Sequence, residues 1–292
     1  MEYKTKMSFS SGLAFRLILI FFILVSSVIP RFLGKNKFIY ENKIAESKIR
    51  TRVESNGSTS MSRLIGMLSD EFMSSNEKYT YEKSETGSGS APIMVKSGKS
   101  DLGDMSRNLY DDEKFEGVDE KCIALDGIAI VVNNENRLYD LSKETLIEIF
   151  SKEITQWSEV SENIMGKIVT IGREEGSGTK SGFENSLGLK NVDYDIILSE
   201  SGDISAKISK EPRAIGYISL ASVFGNLHDV SIDKVKCDLQ NIKNGRYILT
   251  RPFIQIYDRK TKNKARDMWF EFLKSDVAQK IIEKEKLVYV YK

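Results

Sequence analysis

Three times along this chain a strand-like run ends in a cluster of glycines and hydroxyl residues that opens directly into a helix-like run. The first cluster is Asn56-Gly57-Ser58-Thr59-Ser60, followed by apolar residues at Met61, Leu64, Ile65, Leu68 and Phe72, which is helical spacing. The second is Thr86-Gly87-Ser88-Gly89-Ser90, leading into Ala91-Pro92 with proline at a first helical position. The third is Arg173-Glu174-Glu175-Gly176-Ser177-Gly178-Thr179, between Ile168-Val169-Thr170-Ile171 and a helix-like run containing Phe183. A junction of this kind aims several backbone N–H groups at one point, where the helix dipole also favours negative charge. Ser177 and Thr179 add hydroxyl donors, Arg173 adds a planar cationic fork suited to a tetrahedral oxyanion, and Glu175 is placed to hold that fork. A single such cluster reads as a solvated turn or an ordinary helix cap. Three in the same context predict three helix N-termini meeting on one small anion.

Several kinds of chemistry fail on spacing. A P-loop needs glycine followed directly by Lys and Ser or Thr, but Thr179 stands between Gly178 and Lys180. A nucleophile elbow needs glycine two residues to either side of its serine, and around Ser177 those positions hold Glu175 and Thr179. The single histidine, His228, has no acidic or nucleophilic company and is expected on the surface or in a loop. A Ser-His-Asp enzyme is therefore not predicted, and no His/Cys spacing suggests a metal site. Lys plus Arg (43) nearly balances Asp plus Glu (42), so there is no broad basic field for nucleic acid. Local basic stretches such as Arg259 to Lys264 read as solvated surface at a helix start.

From about residue 51, strand-like and helix-like runs alternate, which predicts an α/β architecture. At 292 residues the chain has room for two domains. Ile123 to Val132 is a nearly continuous β-rich stretch, broken only at Asp126-Gly127, and long enough to leave one lobe and enter another. Phe253 to Tyr257 is a second such strand and carries the chain back. Leu141 to Phe150 is helix-like with Ser142 as its N-cap, and Trp157 belongs to a core. Near the end, Ala265, Met268, Trp269, Phe272 and Leu273 share one helical face that packs on the first lobe's sheet, and Ser275 caps a final helix through Ile282. The expected organisation is a two-lobed clamp, with residues 51–127 plus 253–292 as lobe one and 128–252 as lobe two. Crossing between lobes twice allows them to close on a ligand.

These segments, in this order, resemble the substrate-binding proteins of phosphate ABC transporters, a periplasmic-binding-protein-like family, over roughly residues 50–292. The resemblance is carried by Asn56 to Met61, Glu85 to Ser90, Asp101-Leu102-Gly103-Asp104-Met105-Ser106-Arg107 and Arg173 to Thr179. Support comes from Ile149-Phe150 with Ile154 to Trp157, Ala214 to Tyr217, and Tyr247 to Pro252. It implies a type II clamp in which each lobe is a mixed sheet flanked by helices. It also implies an extracytoplasmic protein, not an enzyme and without cofactor or metal, that captures inorganic phosphate and delivers it to an ABC permease and its ATPase. By position, the ligands implied are Thr59, Ser60, Ser88, Ser106 and Arg107 from lobe one and Arg173, Ser177, Gly178 and Thr179 from lobe two. Some family members carry an aspartate where this chain has Ser106, and that residue accepts the proton of hydrogen phosphate. Here Ser106, Glu175 and Asp104 are the candidates for that role, and another oxyanion (sulfate or molybdate) or a tethered phosphate sensor are the alternative readings.

Residues 1–33 form a membrane-directed segment. Lys4, Lys6 and Arg16 precede an apolar run from Leu17 through Ile29, shorter than the about 20 residues a spanning helix needs and suited to a signal-peptide core. Its flank lacks a clear A-x-A site, so it is either cleaved or kept as an N-terminal anchor with Arg16 snorkelling, the second being favoured. The first cysteine is Cys122, so a lipid anchor on a cysteine just after this core is excluded. Residues 34–50, polar and lysine-rich, read as a tether. Export permits a disulfide between Cys122 and Cys237, but a free buried thiol is the commoner state for an apolar strand-like run such as that around Cys122.

Overall fold

From Thr51 the chain alternates strands and helices as the periodicity predicts. The computed structural model describes residues 51–162 and 164–291. The expected signal or anchor at 1–33 and the tether at 34–50 lie outside the described residues.

The first lobe opens with β1 (Thr51–Gly57), α1 (Ser62–Ser75), β2 (Tyr79–Glu85), α2 (Ala91–Lys96) and β3 (Leu102–Met105). Then β4 (Val118–Asn133) runs the length of the molecule. The second lobe holds β5 (Asp140–Leu141), α3 (Lys143–Phe150), β6 (Val169–Arg173), α4 (Gly178–Leu187), β7 (Ile196–Leu198), α5 (Ser201–Ile208), β8 (Ala214–Ser219), β9 (Leu227–Ile232) and α6 (Leu239–Lys243). Strand β10 (Thr250–Asp258) returns the chain to the first lobe, which finishes with α7 (Lys264–Leu273), α8 (Asp276–Lys284) and β11 (Val288–Tyr289).

The strands form one 11-stranded sheet in the order β2-β1-β3-β10-β4-β8-β6-β7, with β9 and β11 also on β4. Within each lobe the strands that feed helices are parallel: β1 with β2 and β3, and β6 with β7 and β8. Strand β4 joins the two halves. Its residues up to Gly127 pair with β10, and those from Ile128 pair with β8 and β9. The hydrophobic cores divide at the same place. Ile128 to Leu249 pack around Trp157, Phe183 and Tyr217, whereas Val53 to Ala124 and Phe253 to Tyr291 pack around Phe72 and Trp269. Val288 of β11 crosses this division by joining the core built from Ile128 to Leu249.

Local signals set the helix ends. Ser142 is extended, and its hydroxyl accepts from Thr145 N at 3.0 Å, so α3 begins at Lys143. The two residues before Ser142, expected in part to be helical, instead pair with β9. Ser275 caps α8 by accepting from Ala278 N, and Asn263 caps α7 through Ala265 N and Arg266 N. Such caps contribute about 1 kcal/mol each. In α7 the side chains of Ala265, Trp269 and Leu273 lie buried under the first-lobe sheet, and Trp269 meets Phe72 edge-on at 5.5 Å. Burial of aromatic rings this size contributes on the order of 1.5–3 kcal/mol each.

One expectation changes, and one about the cysteines holds. His228 lies in β9, half-buried, with Nε2 at 2.7 Å from the Leu138 carbonyl and its ring stacked on Tyr139. Both cysteines are free thiols, Cys122 in the first-lobe part of β4 and Cys237 in the second-lobe core, so no disulfide joins them.

Candidate functional site at the meeting of the lobes

Each glycine-hydroxyl turn leaves the carboxyl end of a parallel strand, which is where open α/β sheets bind ligands. The first turn follows β1, the second follows β2, and the segment Ser106-Arg107 follows β3. The turn from Glu174 to Ser177 follows β6 in the other lobe.

The three lobe-one segments are stitched together by their own hydrogen bonds. Gly57 O accepts from Thr86 N and Gly87 N at 3.0 and 2.9 Å, and Ser58 N donates to Asp104 O at 2.8 Å. Asn56 spans the first two turns, donating to Ser84 Oγ at 2.9 Å and accepting from Thr86 Oγ1 at 2.7 Å. Gly57 has φ +144°, and a Cβ there would lie 2.1 Å from Asp104 O. Only glycine fits, and its absence of a side chain lets the first turn hang on β3.

On the lobe-two side, the end of β6 places Arg173, 1% exposed, at the boundary. Its guanidinium is gripped by Glu174, Nε to Oε2 at 3.1 Å and Nη2 to Oε1 at 3.0 Å, and Nη2 also donates to the Ser199 carbonyl at 2.6 Å. Nη1 makes one long contact, 3.4 Å to Ser201 Oγ. The backbone N–H of Arg173 donates to Tyr217 Oη at 3.3 Å, and the Tyr217 ring stacks on Phe183 at 4.1 Å. Burial raises the Tyr217 hydroxyl well above its usual range, so it stays a neutral prop.

The two sides touch directly. Arg173 Nη2 donates to Thr59 Oγ1 at 3.0 Å, Ser60 Oγ meets Thr179 Oγ1 at 2.8 Å, and Gly89 N donates to Gly176 O at 3.1 Å. Ser58 Oγ donates to Ser106 Oγ at 3.0 Å, and Ser106 N donates to Ser88 Oγ at 3.1 Å. Gly178 presses onto this pair, so closely that a Cβ would fall 2.3 Å from Ser106 Oγ and 2.6 Å from Ser88 Oγ. Ser177 caps α4, its hydroxyl accepting from Lys180 N. Thr59, half-buried, and Ser60, Ser88, Ser106, Arg173, Ser177, Gly178 and Thr179, all buried, thus gather in a ring at this boundary.

Known proteins share this fold. The profile of the PBP superfamily domain matches residues 43–277. The chain belongs to the PBP superfamily. It is 28% identical over 247 residues to the phosphate-binding protein PstS of Bacillus subtilis (strain 168), covering 81% of this chain and 80% of that one. Among solved structures it resembles a putative phosphate ABC transporter substrate-binding protein with bound phosphate from Clostridium perfringens. That match has TM-score 0.79 and 30% identity, and covers 82% of this chain and 99% of the other. An ABC-type phosphate transport receptor from Vibrio cholerae matches with TM-score 0.69 and 27% identity, covering 82% of this chain and 100% of the other.

In this PBP-superfamily chain, three expectations about the ring need correction. Glu175 does not hold Arg173. It is exposed and pairs with Lys180, while its neighbour Glu174 takes the guanidinium. Arg107 follows the ring residue Ser106 but turns away, with Nη1 and Nη2 on Glu113 and Nη1 also on the Asn108 carbonyl. It lines a neighbouring cavity of about 220 Å³ instead. Burial works against ionisation of Glu113, but Arg107 and the Tyr110 N–H outweigh it and hold its carboxyl low.

Asp104 is the third correction. Its side chain turns beneath the sheet, where Gln255 Nε2 donates to Oδ1 at 2.7 Å while Trp269 Nε1 fixes Gln255 Oε1 at 2.7 Å. Burial pushes this carboxyl up to about 6, against the pull of the Gln255 hydrogen bond. Neither carboxyl, of Glu175 or of Asp104, points to the ring.

The residues missed by reading the sequence are Arg251 and Asp126. They face each other in register on β10 and β4, where the chain crosses between lobes. Arg251 Nε and Nη2 donate to Asp126 Oδ2 at 2.9 and 2.8 Å, and Ser219 Oγ donates to Oδ1 at 2.8 Å. Arg251 Nη1 then donates to Thr179 Oγ1 at 2.8 Å, linking the crossing strands to the ring. The pair is sealed from water, and burial raises the Asp126 carboxyl even with Arg251 beside it. The available signal was a charged residue inside each apolar strand, which requires a partner.

Proposed function

We propose that this chain is an extracytoplasmic binding protein that captures inorganic phosphate between its lobes and delivers it to an ABC permease and ATPase. The observation that carries the reading is the buried ring itself, in which hydroxyls from both lobes meet one arginine and the N-terminus of α4. Such a ring suits a small tetrahedral oxyanion that has shed its water. The names of the relatives in Bacillus subtilis and Clostridium perfringens point the same way.

In this reading Thr59, Ser60, Ser88 and Ser106 bind from lobe one, and Arg173, Ser177, Gly178 and Thr179 bind from lobe two. Residues 51–127 with 253–292 and residues 128–252 act as the two moving bodies, hinged where β4 and β10 cross. Binding is capture without bond chemistry. Charge-assisted hydrogen bonds contribute roughly 1.5–3 kcal/mol each, so a handful reach micromolar affinity, about −8 kcal/mol. The apolar segment near the N-terminus supplies export and, if kept, a tie to the membrane.

Calorimetric titration of the purified protein with inorganic phosphate tests this reading. A dissociation constant in the micromolar range or tighter is expected, and a thousandfold excess over that constant then adds about 4 kcal/mol of stability. Absence of heat together with an unchanged melting temperature at millimolar phosphate rejects it.

A further inference from the structure

Strand β6 leaves β8 after Ile171, where their pairing ends against Gly216. The N–H of Arg173 then donates to the Tyr217 hydroxyl, at 3.3 Å. Tyr217 Oη donates to Tyr194 Oη at 3.1 Å, and Tyr194 Oη donates to Glu184 Oε1 at 2.9 Å. This path joins β6, β8, the loop before β7 and α4. It is closely built. Gly172 lies so near the Tyr194 ring that a Cβ there would fall 2.4 Å from it, and Phe150 meets the same ring edge-on at 6.0 Å. Arg173, Tyr217 and Tyr194 are buried and Glu184 is half-buried, so the path leads from the arginine of the ring towards the surface of α4.

A carboxylate only accepts, which fixes the direction of every bond along the path. Tyr194 spends its one proton on Glu184, so it has none for Tyr217. Tyr217 must then donate to Tyr194, and its oxygen accepts from the Arg173 N–H. Burial raises both phenols far above their usual range, so neither loses its proton. A protonated Glu184 donates as well as accepts, and the direction is then no longer imposed.

We propose that Glu184 is a positioning residue for the ring, fixing the main chain at Arg173 through Tyr194 and Tyr217 and so setting where the guanidinium stands. Its effect on a ligand rests on the phosphate reading above, whereas the relay itself does not.

Burial raises the Glu184 carboxyl above its ordinary value, against the pull of the Tyr194 hydrogen bond. The charged groups near it on α4 and the turn before it are Lys180, 4.0 Å away, and Glu175, which also pairs with Lys180. Arg173 on β6 and Tyr217 on β8 lie behind it. Asp195, next to Tyr194 in the chain, titrates apart from Glu184. Burial works against its ionisation, but Lys152 and Thr170 outweigh this and hold the carboxyl down to about 2.

The test follows the Arg173 amide by two-dimensional NMR from pH 4.5 to 8 in ligand-free protein, in the parent, Glu184→Gln and Tyr194→Phe. In the parent the shift should titrate as Glu184 takes up a proton. It should stay flat in Glu184→Gln, which does not ionise, and in Tyr194→Phe, where Glu184 still ionises but the path is cut. Asp104 is common to all three proteins, so its titration cancels in the comparison. No titration in the parent, or one of the same size in either variant, overturns the relay. If Tyr194→Phe fails to fold, Glu184→Gln decides alone.

Calorimetry with inorganic phosphate at pH 7 reads the consequence for the ring. Glu184→Leu leaves the Tyr194 proton without an acceptor and should weaken binding about threefold to tenfold, the worth of one hydrogen bond. Glu184→Gln, whose amide oxygen accepts, should recover that loss. Unchanged affinity in Glu184→Leu overturns the positioning role while leaving phosphate capture intact. A parent that binds no phosphate rejects the phosphate reading, and the NMR titration still decides the relay.

Discussion

The two lobes bring different chemistry to the boundary they share. Lobe one offers neutral hydroxyls: Ser58, Ser88 and Ser106 bond to one another and to the main chain, and Thr59 and Ser60 reach across to Arg173 and Thr179. Lobe two offers Arg173 together with Glu174. Neutral hydroxyls can be buried at little cost because they satisfy each other. A buried guanidinium cannot, so it carries its own counter-ion and keeps only part of its fork for the boundary. At the hinge, where both lobes share the backbone, the same rule gives the closed pair Asp126 and Arg251.

The largest effect expected is at the hinge. Asp126→Ala leaves Arg251 buried beside nothing of opposite charge and should cost about 3–5 kcal/mol of folding stability in denaturant titration. A loss under about 1 kcal/mol, the range of an exposed pair, would show that the crossing strands do not depend on that charge. Next comes the charged lobe. Arg173→Ala should weaken phosphate binding by roughly 2–5 kcal/mol in calorimetry, and an affinity within about threefold of the parent rejects its role.

Asp104 sharpens the comparison from below the lobe-one sheet. Its folded value of about 6 lies above the ordinary 3.8, so the folded protein holds this proton more tightly than the unfolded chain. This group therefore makes stability fall as pH rises from about 4 to about 6, with the full penalty above that window. Asp104→Asn should flatten that slope and recover on the order of 2–3 kcal/mol at pH 7. Denaturation midpoints for parent and variant at pH 4.5 and 7 decide it, and equal slopes would mean that the carboxyl is not strained by burial. The smallest effect belongs to the neutral lobe. Thr59→Val should cost about 0.5–1.5 kcal/mol in phosphate binding, the value of one ordinary hydrogen bond. If Thr59→Val proves as damaging as Arg173→Ala, the division between a neutral and a charged lobe collapses.

Much of this was legible along the chain because its signals are local. Alternating runs gave the α/β class, and Ser142 and Ser275 cap the helices predicted for them. Trp157 lies wholly in a core, as expected of it. The three turns do meet, since each is tied by spacing to the end of a strand. The errors concern direction. Arg107 and Ser106 are neighbours in sequence, yet one faces Glu113 and the other faces Gly178. Glu174 and Glu175 both follow Arg173 within two residues, but the backbone beyond β6 sends one to the guanidinium and the other to solvent.

By itself, the order of residues determined which segments become strands, where helices start, and that glycine-hydroxyl turns lie between them. These follow from backbone sterics, capping and periodic burial, which act over a few residues. The tertiary structure decided which carboxylate neutralises which guanidinium, and which hydroxyl meets which. Asp126 and Arg251 lie 125 residues apart and become partners only when β4 and β10 pair in register. A hydrogen bond depends on distances of a few tenths of an ångström, and those exist only once the sheet has brought its strand ends together.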